Sequence, residues 1–257
     1  MNRPTRYGVV TTWKNDCTER IGSHIEERPD GIYVLADDYD HIEAENKRLK
    51  RKDCLSLQRL SERALPSQRR KTLKVLIVDI ETAGFLYNGG TIIELGIVGL
   101  DLETGERTVL LDSVLQEDCL TKEHFTEEPN NWIFENSTLT PEMVQQAPPA
   151  EEVFKQAQAL FNDDTYRGAT AFNKTFDFSF LRDRGLFIEG LPCPMLLSTN
   201  LVRVPFANGK CCKWPKVEEA YNFFFPNQEY HEAHRGADDA LHEAEIVFEL
   251  HKRGVFL

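Results

Sequence analysis

The chain has 257 residues, 41% hydrophobic and 28% charged, with a net charge of -12. That supplies one sizeable core plus an appendage. No apolar run reaches the roughly 18 residues of a membrane-spanning helix, and the start lacks the long apolar stretch of a signal peptide, so a cytoplasmic protein without membrane contact is expected. The six cysteines (Cys17, Cys54, Cys119, Cys193, Cys211 and Cys212) include no C-x-x-C pair, and the adjacent Cys211 and Cys212 are poorly placed to bridge each other. Free thiols are expected, with neither a disulfide framework nor a zinc site.

The acidic average hides an asymmetry. Residues 46–74 hold 11 Lys or Arg against Asp53 and Glu62, a local charge of +9 that leaves -21 on the remainder. Phosphate-tracking surfaces are usually basic, so an acidic domain that handles phosphates needs carboxylate-held cations, which become the largest charges in the site.

Residues 1 to about 35 offer few periodic signals, with Gly31–Leu35 a candidate short strand or buried turn. From Asp37 to about Leu65, Ile42, Leu49, Leu57 and Leu60 are spaced loosely for an amphipathic helix that Pro66 ends. The basic run can grip nucleic acid or a partner, or be a solvated helix and linker. At Leu73 the texture changes to LKVLIVDIE, a dense β-branched run that predicts a strand buried on both faces. After Gly89-Gly90 two further strands are predicted, joined at Glu103-Thr104-Gly105-Glu106, which makes a three-strand meander. Thr140 with Pro141 opens a short helix, and a helical pattern follows Pro148-Pro149. Another helix is predicted from Phe176 to about Gly185. A last one has Ala237, Leu241, Ala244, Ile246, Val247 and Leu250 on one stripe, with Gly254 as its stop. A mixed α/β sheet covered by helices is the simplest assembly of these elements.

Three features carry chemistry. Asp79 and Glu81 interrupt the apolar strand two residues apart, so they share a face, and two like charges on a buried strand are costly unless cations or protons neutralise them. The competing reading ends the strand at Val78 and puts both acids in a solvated loop. Gly84 close by suits a backbone that must approach a ligand. Asn173 and Asp177 lie four apart on one helical face, which is also ordinary helix-start chemistry. His234 precedes Asp238 and Asp239, acids that open the last helix and have a dipole reason to be there, while His234 could be one of several surface histidines with His231 and His242. Together the three features provide four carboxylates for two hard cations and an imidazole able to take a proton from water.

D-x-E-T, then N-x-x-x-D, then His followed five residues later by Asp, resembles the signature order of the DEDDh (DnaQ-like) 3′ to 5′ exonucleases. Lesser echoes are Ile92-Ile93-Glu94-Leu95-Gly96, Leu139-Thr140-Pro141-Glu142-Met143 and Lys213-Trp214-Pro215-Lys216-Val217. The resemblance spans about Val75 to Leu250. It implies a mixed five-stranded RNase H-like sheet flanked by helices in an exonuclease domain at 73–257, preceded by a partly helical N-terminal extension at 1–72. It implies further that Asp79, Glu81, Asp177 and Asp239 hold two Mg²⁺ or Mn²⁺ ions. His234, not His231, would be the general base, while Thr82, Phe85, Leu86 and Asn173 would contact the terminal nucleotide.

The expected reaction is metal-dependent hydrolysis of the terminal phosphodiester of DNA, releasing nucleoside 5′-monophosphates. An exoribonuclease of the RNase T or oligoribonuclease type, or a non-catalytic nucleic-acid or polymerase-binding module, is the alternative. A replication or polymerase partner would engage residues 37–74. Because an imidazole acts as base only when neutral, activity is expected to fall below about pH 6.5. The sequence departs from the family where Phe172 replaces a frequent His before the Asn, where Gly236 replaces the usual Ala, and at Ser198–Leu201, which lacks an initial Asp.

Overall fold

In the computed structural model the chain divides into two compact units, Met1–Gln68 and Arg69–Leu257. The residues described are 7–13, 20–27 and 73–257, the last without Lys210 and Glu229. In the first unit β1 (Tyr7–Trp13) and β2 (Arg20–Glu27) pair antiparallel, with an irregularity between Thr12 and Trp13. The sequence reading found no strand here, although the Val-Val-Thr-Thr run of β1 has strong β propensity. The candidate strand at Gly31–Leu35, the expected helix over 37–65 and the basic stretch as far as residue 72 lie outside the described residues.

The second unit is built on a mixed sheet ordered β5-β4-β3-β6. Strand β3 (Lys74–Ala83) lies in the middle, antiparallel to β4 (Thr91–Asp101) and parallel to β6 (Ala169–Thr170), and β5 (Arg107–Val114) returns antiparallel to β4. Five strands were expected in this sheet, and among the described residues it has four. The fifth is reduced to a bridge: Ala169 donates its N–H to Glu189 O, and Leu191 donates to Ala169 O, each at 2.8 Å. Pro192 and Pro194 follow at once, and a proline has no N–H with which to extend the ladder.

The apolar run of β3 is buried on both faces, as its composition required. Val75 and Ile77 face a core formed with α7 (Val217–Phe224) and α8 (Gly236–Lys252). Leu76, Val78 and Ile80 face a second core formed with α4 (Ala150–Phe161) and α5 (Lys174–Asp183). By the two-residue period, Asp79 and Glu81 continue the α8-facing row. The β4–β5 turn is held by Asp101, whose Oδ1 accepts the N–H groups of Glu103 and Thr104.

Short helices α1 (Glu123–Thr126), α2 (Trp132–Asn136) and α3 (Pro141–Gln145) cover the end of β3. Thr140 caps α3 by accepting the Met143 N–H, with Pro141 in the first turn, as its sequence indicated. Helices α6 (Pro194–Val202) and α7 were not anticipated. Helix α7 nonetheless carries Val217, Ala220, Tyr221 and Phe224 on one buried stripe and opens with Lys216 N–H donating to Glu219. Cys119 and Cys193 are free. No helix among the described residues is long and apolar enough to cross a membrane.

Candidate active site

Asp79 and Glu81 stay in the strand: β3 runs on to Ala83, with a register shift after Glu81, so the alternative of a solvated loop fails. Asp79, Glu81, Thr82, Phe85, Asn173, Asp177 and His234 all line one cavity of about 470 Å³. Leu86 is not among its lining residues. It borders an adjoining groove of about 580 Å³, which shares Phe85, Asn173 and Phe176 with the first cavity and adds Tyr87, Leu196 and Trp214. Asp239 does not line the cavity either, but its carboxylate lies behind it. Ligand-capable atoms of Glu81, His234 and Asp239 all fall within 4.8 Å of one another.

Each group is held by a different element. Asp177 sits in the first turn of α5, where its Oδ1 accepts the Ile80 N–H at 3.3 Å and ties that helix to β3 beside Asp79. Asn173 occupies the N-cap position of α5, yet its side chain makes no capping bond and is left to line the cavity. The ordinary capping explanation therefore does not account for it. Asp239, 1% exposed, accepts the Tyr230 hydroxyl at 2.7 Å, the Ala233 N–H at 3.1 Å and the Arg235 N–H at 2.9 Å. Its carboxylate thus clasps the chain on both sides of His234. The clasp matters because His234 has φ of 52°, a left-handed conformation uncommon for a non-glycine residue and sustained only by surrounding contacts. The imidazole packs edge-on against Trp132, with centroids 4.9 Å apart. His231 is exposed and faces Glu218 instead.

Behind this site, Glu94 is fully buried opposite Glu81 and takes a forked pair of bonds from Arg235, at 2.8 to 3.1 Å, plus the Gly236 N–H at 2.9 Å. Arg235 compensates Glu94. Among the described residues no Lys or Arg pairs with Asp79, Glu81, Asp177 or Asp239.

The electrostatic result is a set of buried acids pushed toward their neutral forms. Burial, then Glu243, Glu81, Asp177 and Asp239, raise Asp79 well above the usual carboxylate range. Burial and then Asp239 do the same to Glu81. Burial pushes Asp177 up to about 7, and burial with Asp239 pushes Glu232 up to about 7. Oδ2 of Asp79 is buried with no hydrogen-bond partner. A buried, unpartnered carboxylate oxygen among like charges, with hard oxygen donors around it and an imidazole at the edge, fits a divalent cation site.

No protein-family model and no curated protein matches the sequence. Solved structures do match. Over 72% of its length the chain is similar to a 3′-exonuclease solved in 3′-end-specific recognition of a histone mRNA stem-loop, at a TM-score of 0.53 and 16% identity, covering 84% of that chain. Over 70% of its length it is similar to E. coli Exonuclease I in complex with a dT13 oligonucleotide, at a TM-score of 0.51 and 13% identity. It covers 41% of that second chain, so it spans less than half of Exonuclease I. The chain shares the fold of these two exonucleases.

The sequence reading missed two acids of this cavity. Glu232 and Glu243 both line the carboxylate cavity. Glu243 was detectable in principle, since it lies four residues after Asp239 and so shares its helical face. Glu232 comes from an irregular segment whose course no local pattern specifies. Trp132, which packs on His234, lies in α2, about a hundred residues away in sequence, and had no signal at all.

Proposed function

We propose that the protein is a metal-dependent 3′ to 5′ exonuclease that hydrolyses the terminal phosphodiester of a nucleic-acid strand. The observation that carries this reading is the convergence of Glu81, His234 and Asp239 beside the unpartnered buried oxygen of Asp79. Asp79, Glu81, Asp177 and Asp239 are assigned as the residues that hold two Mg²⁺ or Mn²⁺ ions. When bound, such ions offset the phosphate's charge, stabilise the departing 3′ oxygen and lower the pKa of water.

The remaining work falls to the chain itself. His234 is assigned to accept the proton from the attacking water. Its tight turn and the edge of Trp132 restrict the ring's orientation. Thr82, whose hydroxyl donates to Gly84 O at 2.9 Å, and Asn173 are assigned to orient the terminal nucleotide. Phe85 is assigned to pack on its base, and Leu86 with the adjoining groove to receive the next one, through apolar and stacking contact. DNA is the first substrate proposed and RNA the alternative; of the two similar structures, one recognises an mRNA stem-loop and the other is bound to a dT13 oligonucleotide. The basic stretch of residues 46–74 is proposed to add electrostatic attraction to phosphates or to a polymerase partner.

The test is a digest of single-stranded DNA, duplex DNA and RNA, each labelled at either end, with Mg²⁺, Mn²⁺ or EDTA. Asp79→Asn and Asp239→Asn are run beside the parent. Mononucleotides released from the 3′ end by the parent alone, and only with metal, are the expected result. Equal degradation by either variant, or release that persists in EDTA, would remove the assignment.

A further inference from the structure

We propose that Glu243 is a fifth carboxylate of the cation site, holding a divalent ion together with Asp79 and Asp177. This rests on the reading of the cavity as a metal centre. Glu243 is 3% exposed and stands on α8 one turn after Asp239, so that the helix presents two acids in succession toward β3. It lines the cavity together with Asp79 and Asp177. Its Oε2 accepts the Phe172 N–H at 3.0 Å, next to Asn173. Among the described residues no Lys or Arg forms an ion pair with Glu243.

A lone acceptor role toward Phe172 would not need a charge. An amide oxygen would serve it equally well, and a long acid sunk beside Asp79, Asp177 and Asp239 is costly in its ionised form unless a cation sits among them. The unpartnered Oδ2 of Asp79 is independent of Glu243's own bonds and marks the same space as short of a positive partner.

Glu243→Gln separates the two roles, because it keeps an acceptor for Phe172 N–H and removes the charge. The purified full chain is titrated calorimetrically with Mn²⁺ alone, without nucleotide, and melted in EDTA. Expected are at least tenfold weaker binding of one Mn²⁺ and a melting temperature in EDTA at or above that of the parent. Parental Mn²⁺ affinity, or a lower melting temperature in EDTA with parental affinity, overturns the proposal. If the glutamine variant does not fold, Glu243→Asp decides: pulling the carboxylate back by one methylene is expected to weaken Mn²⁺ at least threefold, and parental affinity overturns. Asp79→Asn in the same titration distinguishes the failures. If it too binds like the parent, the metal-centre reading is wrong; if it alone loses Mn²⁺, only the role of Glu243 is.

Discussion

The backbones of Gly96 and Gly236 lie in direct contact, so close that a Cβ on Gly96 would come within 2.1 Å of the Gly236 carbonyl carbon. This contact seats the first turn of α8 on β4, and that turn carries Asp239 to Glu81. The approach is close from the other side too, since a Cβ on Gly236 would lie 2.8 Å from the Gly96 nitrogen. Gly96→Ala is expected to cost about 3 kcal/mol, the upper end for overpacking, because backbone cannot yield as a side chain does. Gly236→Ala is expected to cost about 1 kcal/mol. For a domain of this size those figures mean melting temperatures lower by roughly 6–12 °C and 2–4 °C. Equal effects from the two variants would show that the contact is not the tight point inferred.

Arg235 beside Glu94 is a second support of the same turn. Arg235→Ala leaves a fully buried carboxylate with only the Gly236 N–H, a situation that costs about 3–5 kcal/mol. The double variant Arg235→Met with Glu94→Leu removes the stranded charge and is expected to recover most of that loss. Chemical denaturation of the three proteins measures it. If the double variant is no more stable than Arg235→Ala, the penalty does not come from the uncompensated charge.

The stability of the metal-free protein should fall as pH rises. Asp177, pushed from 3.8 to about 7, and Glu232, pushed from 4.5 to about 7, keep a proton in the folded state that the unfolded chain has already lost between those values. Asp79, Glu81 and Glu243, raised chiefly by burial, have the same sign. Stability contributed by these groups is present near pH 4 and lost progressively toward pH 7. Glu117 runs the other way. Although burial opposes it, hydrogen bonds from Arg184 and Thr91 hold its carboxyl low, so its contribution is lost only as pH falls below about 4.5. In EDTA the melting temperature is expected to be several degrees lower at pH 8 than at pH 5. Saturating Mg²⁺ should close that gap, since cations bind the ionised site. A melting temperature in EDTA that climbs from pH 5 to pH 8 would contradict the burial argument.

Trp214 is 65% exposed on the groove that shares Phe85, Asn173 and Phe176 with the carboxylate cavity, so most of its indole is open to a base. On the proposed function, Trp214→Ala should raise KM for single strands of three or more nucleotides about tenfold, within the range of one base–aromatic stack, and change kcat little. Steady-state kinetics on short oligonucleotides decides this. A drop in kcat with KM unchanged would place Trp214 outside the strand's path.

Much of this was legible in the order of the residues. The β3 run, its pair of acids two apart, the meander, the Thr140-Pro141 helix start and the stripe of α8 are all local periodicities, and period alone states which residues share a face. The convergence of Asp79, Glu81, Asp177, His234 and Asp239 was legible only through the resemblance, because they lie on three elements separated by about a hundred and by sixty residues. What tertiary structure alone decided has a common physical character: it depends on what lies across a gap rather than along the chain. The fifth strand shrinks to one bridge because two prolines meet the edge of β6. Glu232 and Trp132 join the site because an irregular segment and a distant helix bring them there. Gly236 is a glycine because Gly96 already occupies the space.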